Sequence, residues 1–382
     1  MEQNLLSDLE EKIKSQGKSL GFDLVRITTA EPFYRDESEA LKRIRDGHMD
    51  GLSWYTEDRV RKMNRPGLLL DGARSIISVG VSYLEQNIET EKMLSGKVSR
   101  YARGTDYHSV LKLKLKKFRD GVSDILGENV NARIFVDDGP MNDKGAARRS
   151  GLGWMGKNTN ILTPTYGSWI FLGQLILDVA LKPDKPLKKT CGNCTKCIDD
   201  CPTGAIVAPY VVDNSLCISY LTIELKGSIP IHLRPLMGDW IFGCDICQDV
   251  CPVNKKAEMG KLPEFKQRPG FSTPNLVEIL NLDQETFSKV YKDSPIKRAK
   301  LAGLKRNACV ALGNNGDVAA VKPLSKVLFD SSAVFRGHAA WALGRLGGPE
   351  SEKHLRKALA DEGDPDIRGE IQSALDGLRD HA

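Results

Sequence analysis

Cys191-Gly192-Asn193-Cys194-Thr195-Lys196-Cys197-Ile198-Asp199-Asp200-Cys201-Pro202 sets the reading of the whole chain. The spacing is Cys-x2-Cys-x2-Cys-x3-Cys-Pro, that of bacterial ferredoxins, in which three thiolates hold one 4Fe–4S cubane and the fourth crosses to a second. Two-residue loops let three sulfurs reach three irons, and the longer gap with its proline turns Cys201 away. A second, incomplete run comes later, Cys244-x2-Cys247-x3-Cys251-Pro252, with Ile241 where a further cysteine would stand. Cys217 is the replacement. Cluster one is assigned to Cys191, Cys194, Cys197 and Cys251, and cluster two to Cys201, Cys217, Cys244 and Cys247. A zinc site is the alternative, but zinc takes four cysteines in two CxxC pairs and has no use for a crossing Cys-x3-Cys-Pro.

The surrounding composition agrees. Eight of the nine cysteines are crowded between Cys191 and Cys251, and only Cys309 lies outside. With 382 residues there is room for two or three domains. The net charge of +5 is small, and it matters for a polyanion only where it is clustered. No apolar run approaches the length of a membrane span. The N-terminal stretch beginning Met1-Glu2-Gln3-Asn4 lacks both the pattern of a secretory signal and a twin-arginine pair. A cytoplasmic location is therefore expected, where reduced thiols favour metal over disulfides.

Toward the N-terminus, strands and helices alternate. Residues 3–20 carry Leu5, Leu6, Leu9, Ile13 and Leu20 at helical spacing, Gly21 stops the helix, and residues 22–27 read as a strand. A charged helix is predicted near 36–46 and a buried strand over 75–83. A helix over 106–126 (Leu111, Leu115, Phe118, Val122) precedes a strand over 132–136. Asp137-Asp138-Gly139-Pro140 is a turn, followed by a helix near 142–151 and strands near 160–163 and 168–179. The expected organisation is an α/β domain over 1–183, a ferredoxin-like two-cluster module over 184–260 and a connecting segment over 261–300. An all-α HEAT-like repeat domain completes the chain over 301–382. The repeat shows as Ala311-Leu312-Gly313, Ala342-Leu343-Gly344 and Ala374-Leu375, spaced 31 and 32 apart, each with a basic residue six positions upstream (Lys305, Arg336, Arg368). Cys309, on the first repeat, reads as a small buried hydrophobe.

Three short motifs mislead. Gly151-Leu152-Gly153-Trp154-Met155-Gly156-Lys157 satisfies both GxGxxG and GxxxxGK, but a helical stretch precedes it and Asn158 comes after the lysine where a phosphate loop needs Ser or Thr. A helix end leading into a close-approach loop fits better. Asp46-Gly47-His48-Met49-Asp50-Gly51 matches DxHxxG, by which some corrinoid proteins supply a histidine to cobalt, yet it trails a charged helix instead of a core strand. His108 is expected to play a local structural or cofactor-contact role.

Taken in order, these segments resemble the epoxyqueuosine reductases, cobalamin-dependent tRNA-modifying enzymes related to reductive dehalogenases. The resemblance covers nearly the whole chain. It rests on Gly21-Phe22-Asp23, Leu68-Leu69-Leu70 with Ala73-Arg74-Ser75-Ile76, and Tyr101 through His108. It continues in Val136 through Pro140, Gly151 through Asn158, both cysteine runs and the C-terminal repeats. It implies an α/β cobalamin-binding domain with no histidine ligand to cobalt. The implied reaction reduces epoxyqueuosine to queuosine at the tRNA wobble position, with two electrons passed through the clusters and oxygen lost as water. It further implies Asp137 as proton donor and cobalamin contacts at Lys157, Ile161, Leu172, Ser219, Thr222 and Asp245. For Ile161 and Leu172 plain core packing is the alternative.

Opening an epoxide leaves charge on oxygen, so an acid must deliver a proton as the ring breaks. Burial would raise the carboxyl's pKa enough for that role, and strand alternation would point Asp138 away from the side taken by Asp137. A basic stretch at Lys297, Arg298, Lys300, Lys305 and Arg306, preceded by Lys255, Lys256, Lys261, Lys266 and Arg268, reads as an RNA-backbone footprint. The expected partners are tRNA and an external electron donor, with no membrane, and the protein is expected to be a monomer. Two other readings compete: a reductive dehalogenase acting on a small molecule, against which the basic repeats weigh, and a ferredoxin passing electrons to a partner, which leaves the N-terminal domain without a task.

Overall fold

The computed structural model describes residues 2–86 and 93–379, and the side chains of residues 2–8 and 379 lie outside that description, Leu5 and Leu6 among them. Two compact units divide the chain. The first takes Met1–Gln86, Thr105–Ser215 and Ile246–Lys266, and the second takes Asn87–Gly104, Leu216–Asp245 and Gln267–Ala382.

In the first unit the elements are α1 (Glu2–Ser19), β1 (Leu24–Thr29), α2 (Tyr34–Arg45), α3 (Glu57–Met63), β2 (Ser75–Ser82), α4 (Tyr107–Leu126), β4 (Ala132–Phe135) and α5 (Asp143–Arg149). A two-strand hairpin of β5 (Trp154–Met155) and β6 (Ile161–Leu162) comes next, then β7 (Ile170–Leu177) and the short helices α6 (Lys196–Asp199) and α8 (Ile246–Asp249). The main sheet has the order β1-β2-β7-β4 and is antiparallel throughout. The alternation of strand and helix along the sequence is therefore realised without parallel pairs.

Every residue of β2 is buried, which explains its unbroken apolar run: both faces of the strand are covered. On one face lie α1 and α4. Gly17 lets α1 settle against Val25 and Phe118, since a Cβ there would meet Val25 at 2.8 Å. On the other lies α5, where the buried Gln174 of β7 accepts from the Ser78 hydroxyl at 2.6 Å and donates to the Asp143 carbonyl at 3.3 Å. A buried amide with both ends paired carries little penalty.

The second unit is mainly helical. A short parallel pair, β3 (Lys97–Val98) with β8 (Trp240–Phe242), accompanies α7 (Ile218–Ile223), α9 (Leu276–Asn281) and α10 (Gln284–Val290). The repeat region holds α11 (Lys300–Asn315), α12 (Val321–Val327), α13 (Ala333–Leu346), α14 (Gly348–Asp361) and α15 (Pro365–Arg379). One core runs through these helices, and Cys309 sits fully buried in it, its thiol pushed up to about 12 by burial. The Ala-Leu-Gly repeat has a packing cause. A Cβ on Gly313 would meet Trp341 at 2.8 Å and Ala342 at 2.9 Å, and one on Gly344 would meet Ala374 at 2.8 Å. Each glycine admits an alanine of the next repeat. The basic residues upstream tie helix ends: Arg336 grips Glu362 at 2.6 and 2.8 Å, and Arg368 donates to the Leu359 and Glu362 carbonyls.

Gly344→Ala gains about 0.5–1 kcal/mol of helix propensity but overpacks the α13–α15 contact at a cost of about 1–3 kcal/mol. A net loss of stability is expected in denaturant unfolding, and a gain would refute the packing role.

Candidate active site and cysteine module

Asp137 comes directly after β4 and Val136, with its backbone in the left-handed region at φ 55. Asp is one of the few side chains that tolerates that conformation. The departure from extended backbone ends strand alternation, so the two carboxylates do not point apart as the sequence suggests. Both are taken by α4: the Tyr107 hydroxyl donates to Asp137 Oδ2 at 2.5 Å, and Lys112 pairs with Asp138. Asp137 is also exposed, so the burial expected of it is not found.

Asp143, at the start of α5, is half-buried instead, with one carboxyl oxygen enclosed. Its Oδ1 is enclosed and has no hydrogen-bond partner, and its carboxyl is raised well above the usual range by burial first and by the nearby Asp137 charge second.

Tyr107, buried itself, stacks flat on Phe171 at 4.3 Å, and Phe171 is flanked by Tyr83 and Phe265. This aromatic wall fixes the phenol that holds Asp137. His108 lies in the first turn of α4, where its backbone N–H donates to the capping Asp106 at 3.0 Å and its Nδ1 lies 2.7 Å from Asp106 Oδ1. His48 lies in the turns after α2, 3.6 Å from Asp213.

The turn after β4 emerges at the end of the sheet where β7 begins, because Phe135 pairs with Gln174. Leu172 stands there. With Leu24 and Met155 it forms a half-buried apolar group over a core of Ala147, Leu152, Ile161, Tyr166 and Ile170. Ile161 is thus a core residue, and Leu172 is partly open.

The glycine loop leaves a helix, as its context requires. Gly151 has φ +72, and a Cβ on Gly153 would strike Ile161 and Leu162 at 2.5 Å. Lys157 Nζ donates to the Gly192 carbonyl at 2.8 Å. Asn158 and Asn160 attend Cys247: Asn158 Nδ2 donates to its carbonyl at 3.0 Å, and Asn160 Nδ2 lies 4.0 Å from its sulfur. The sequence marks Asn158 as a mismatch to a phosphate loop and as the end of a family segment, not as a neighbour of Cys247.

Cys191, Cys194, Cys197 and Cys251 gather in the first unit, all half-buried. The Cys197 thiol is raised by burial and then by the facing Cys191, Cys251 and Cys194, while Cys251 receives backbone N–H bonds at Val253 and Asn254. Half-enclosed thiols facing one another, with N–H donors on one sulfur, suit thiolate ligation of an iron–sulfur cluster. Cys201 and Cys247 belong to the same unit, whereas Cys217 and Cys244 belong to the second.

Three expected contact residues in the second unit are already committed. The Thr222 hydroxyl donates to Ile218 O at 2.8 Å and accepts from Gly243 N at 2.9 Å. Asp245, 1% exposed, accepts from Ser99 Oγ and from Arg100 N at 2.8 Å. Arg306, likewise 1% exposed, donates to the carbonyls of Leu221, Leu225 and Gly227. Arg306 therefore presents no guanidinium to a phosphate and is removed from the RNA footprint. Thr222 and Asp245 act as internal braces, and Ser219 is half-buried beside them. Lys297, Arg298 and Lys300 are exposed, with Arg298 paired to Glu224 at 2.6 Å. Among the described residues no helix is long and apolar enough to cross a membrane.

Comparison with known proteins fits this arrangement. Residues 190–254 match the 4Fe-4S double cluster binding domain, residues 64–138 match epoxyqueuosine reductase QueG, DUF1730, and residues 299–376 match HEAT repeats. An epoxyqueuosine reductase of Cellulophaga algicola is 43% identical over 295 residues, 77% of this chain and 95% of the relative. The Bacillus subtilis enzyme is 34% identical over 378 residues, covering 97% of this chain and 96% of its own. A crystal structure of epoxyqueuosine reductase with an epoxyqueuosine-modified tRNA-Tyr stem loop superposes with a TM-score of 0.91 at 32% identity, covering 98% of this chain and all of that one. The chain carries a double 4Fe–4S module and HEAT repeats, and it belongs to the epoxyqueuosine reductase family.

Proposed function

We propose that this protein reduces epoxyqueuosine to queuosine at the wobble position of tRNA, as the final step of queuosine formation. The observation that carries the reading is the pairing of a double-cluster cysteine module with an exposed aspartate held by a buried tyrosine at the end of the sheet. Two electrons enter from an external donor and pass through the clusters. Cluster one is held by Cys191, Cys194, Cys197 and Cys251, and cluster two by Cys201, Cys217, Cys244 and Cys247.

The proposed acceptor is cobalamin, which when bound supplies a strongly reducing, nucleophilic metal centre. The half-buried apolar group of Leu24, Met155 and Leu172 fits the flat face of a macrocycle, and Lys157 stands on the adjoining loop. Asp137 delivers a proton to the epoxide oxygen as its C–O bond breaks. Tyr107 fixes the direction of that carboxyl, and the aromatic wall fixes Tyr107. A Bacillus subtilis epoxyqueuosine reductase has been seen with its catalytic aspartate loop swung out of the active site, which supports placing the acid on a mobile turn.

Lys297 and Lys300 are proposed to meet the RNA backbone. Replacing each by alanine is expected to weaken stem-loop binding and to lower the slope of log affinity against log salt by about one. An unchanged slope would move the footprint elsewhere.

The functional reading is tested by following cluster absorbance. Reduced clusters should reoxidise on addition of an epoxyqueuosine stem loop only when cobalamin is present. Reoxidation that ignores either component would refute it.

A further inference from the structure

The reaction's stoichiometry asks for more than Asp137 can hold. Converting an epoxide to an alkene breaks two C–O bonds, forms one C=C π bond and releases the oxygen as water. Two electrons arrive through the clusters, and two protons must reach the oxygen, one as the ring opens and one as the hydroxyl leaves. A single carboxyl carries one proton.

We propose that Asp143 stores the second proton and passes it to Asp137 once Asp137 has given up its own. The inference rests on the reading of the site as an epoxide reductase. Asp143 starts α5 directly after the turn that carries Asp137, and its Oδ1 is buried with no hydrogen-bond partner. An ionised carboxylate left that way would be costly, whereas a neutral acid tolerates the enclosure. A helix N-terminus favours an anion by only about 0.3–1 kcal/mol, and here burial prevails, raising the group well above its usual range.

The charged groups around it are accounted for. Asp137 and Asp138 oppose its ionisation, its own backbone N–H and more weakly Lys144 favour it, and Asp36 of α2 reaches this corner through Asn142 and is neutralised by Arg148. Asp138 is taken by Lys112, and Asp137 Oδ2 by Tyr107. That leaves Asp143 as the carboxyl beside Asp137 whose Oδ1 has no partner. Asp143 touches no reacting atom. It is a positioning residue acting through Asp137.

The test uses reconstituted holoenzyme, with wild type and variants assayed together on an epoxyqueuosine stem loop. Asp143→Asn is expected to lower kcat about tenfold or more while KM for the stem loop stays unchanged. Small buffer acids such as imidazolium should restore the rate as their concentration rises, and Asp143→Glu should need no rescue. Full activity in Asp143→Asn, or a loss that neither buffer nor Glu restores, would overturn the proposal. Failure of the wild type to turn over would instead strike the epoxide-reductase reading. Independently of turnover, infrared spectra of wild-type protein at neutral pH should show a protonated carboxyl band that shifts in D2O, and its absence would also overturn the assignment.

Discussion

Asp137→Asn is expected to abolish most turnover, by about 10²–10⁴-fold, the range a positioned general acid supplies. Iron content and cobalamin binding should remain at wild-type levels. The amide preserves shape and can still accept from the Tyr107 hydroxyl, so the turn and the aromatic wall should persist. What is lost is the transferable proton. A defect of this size with normal cofactor content separates a chemical role from a folding one. Steady-state rates on a modified stem loop, with iron and cobalamin measured on the same samples, provide the check. Wild-type rates in the variant would transfer the acid role to another group.

Removal of Cys197 should have the second large effect. Its thiol faces Cys191, Cys194 and Cys251, so Cys197→Ala deletes one corner of cluster one. Iron should fall from the eight of two 4Fe–4S clusters to about four per chain. Turnover should fall to background, because the electron path is cut. Cys309→Ala is the control: that cysteine is buried in the helical core, far in sequence from the module, and iron should stay unchanged. Equal iron in Cys197→Ala and wild type would remove Cys197 from the ligand set.

Features written in local spacing were legible without coordinates. The two Cys-Pro runs announced the cluster module, and the Ala-Leu-Gly recurrence announced stacked helices, since each glycine is a contact repeated at each step. The buried run of β2 was equally plain, while β1 begins at Leu24, two residues later than its apolar run suggested.

Features set by long-range burial were not legible. Lys305 and Arg306 are neighbours in a basic stretch, but successive residues on a helix point about 100° apart, and the inward one spends its guanidinium on three carbonyls. Asp137 and Asp138 were read by strand alternation, which fails once Asp137 takes a left-handed conformation. Asp143 carried no motif at all. It stands out only because its Oδ1 is buried without a hydrogen-bond partner. Helix α3 leaves no apolar periodicity in the sequence, because its charges mask the single buried Val60.

The central claim is that electrons from two iron–sulfur clusters remove one oxygen from a tRNA base. The direct measurement is the mass of the wobble nucleoside after an epoxyqueuosine stem loop meets reconstituted, reduced protein. The account predicts a nucleoside lighter by one oxygen atom, with its sugar and ring system intact. Recovery of the unchanged epoxide, from protein verified to hold both clusters and cobalamin, would contradict it.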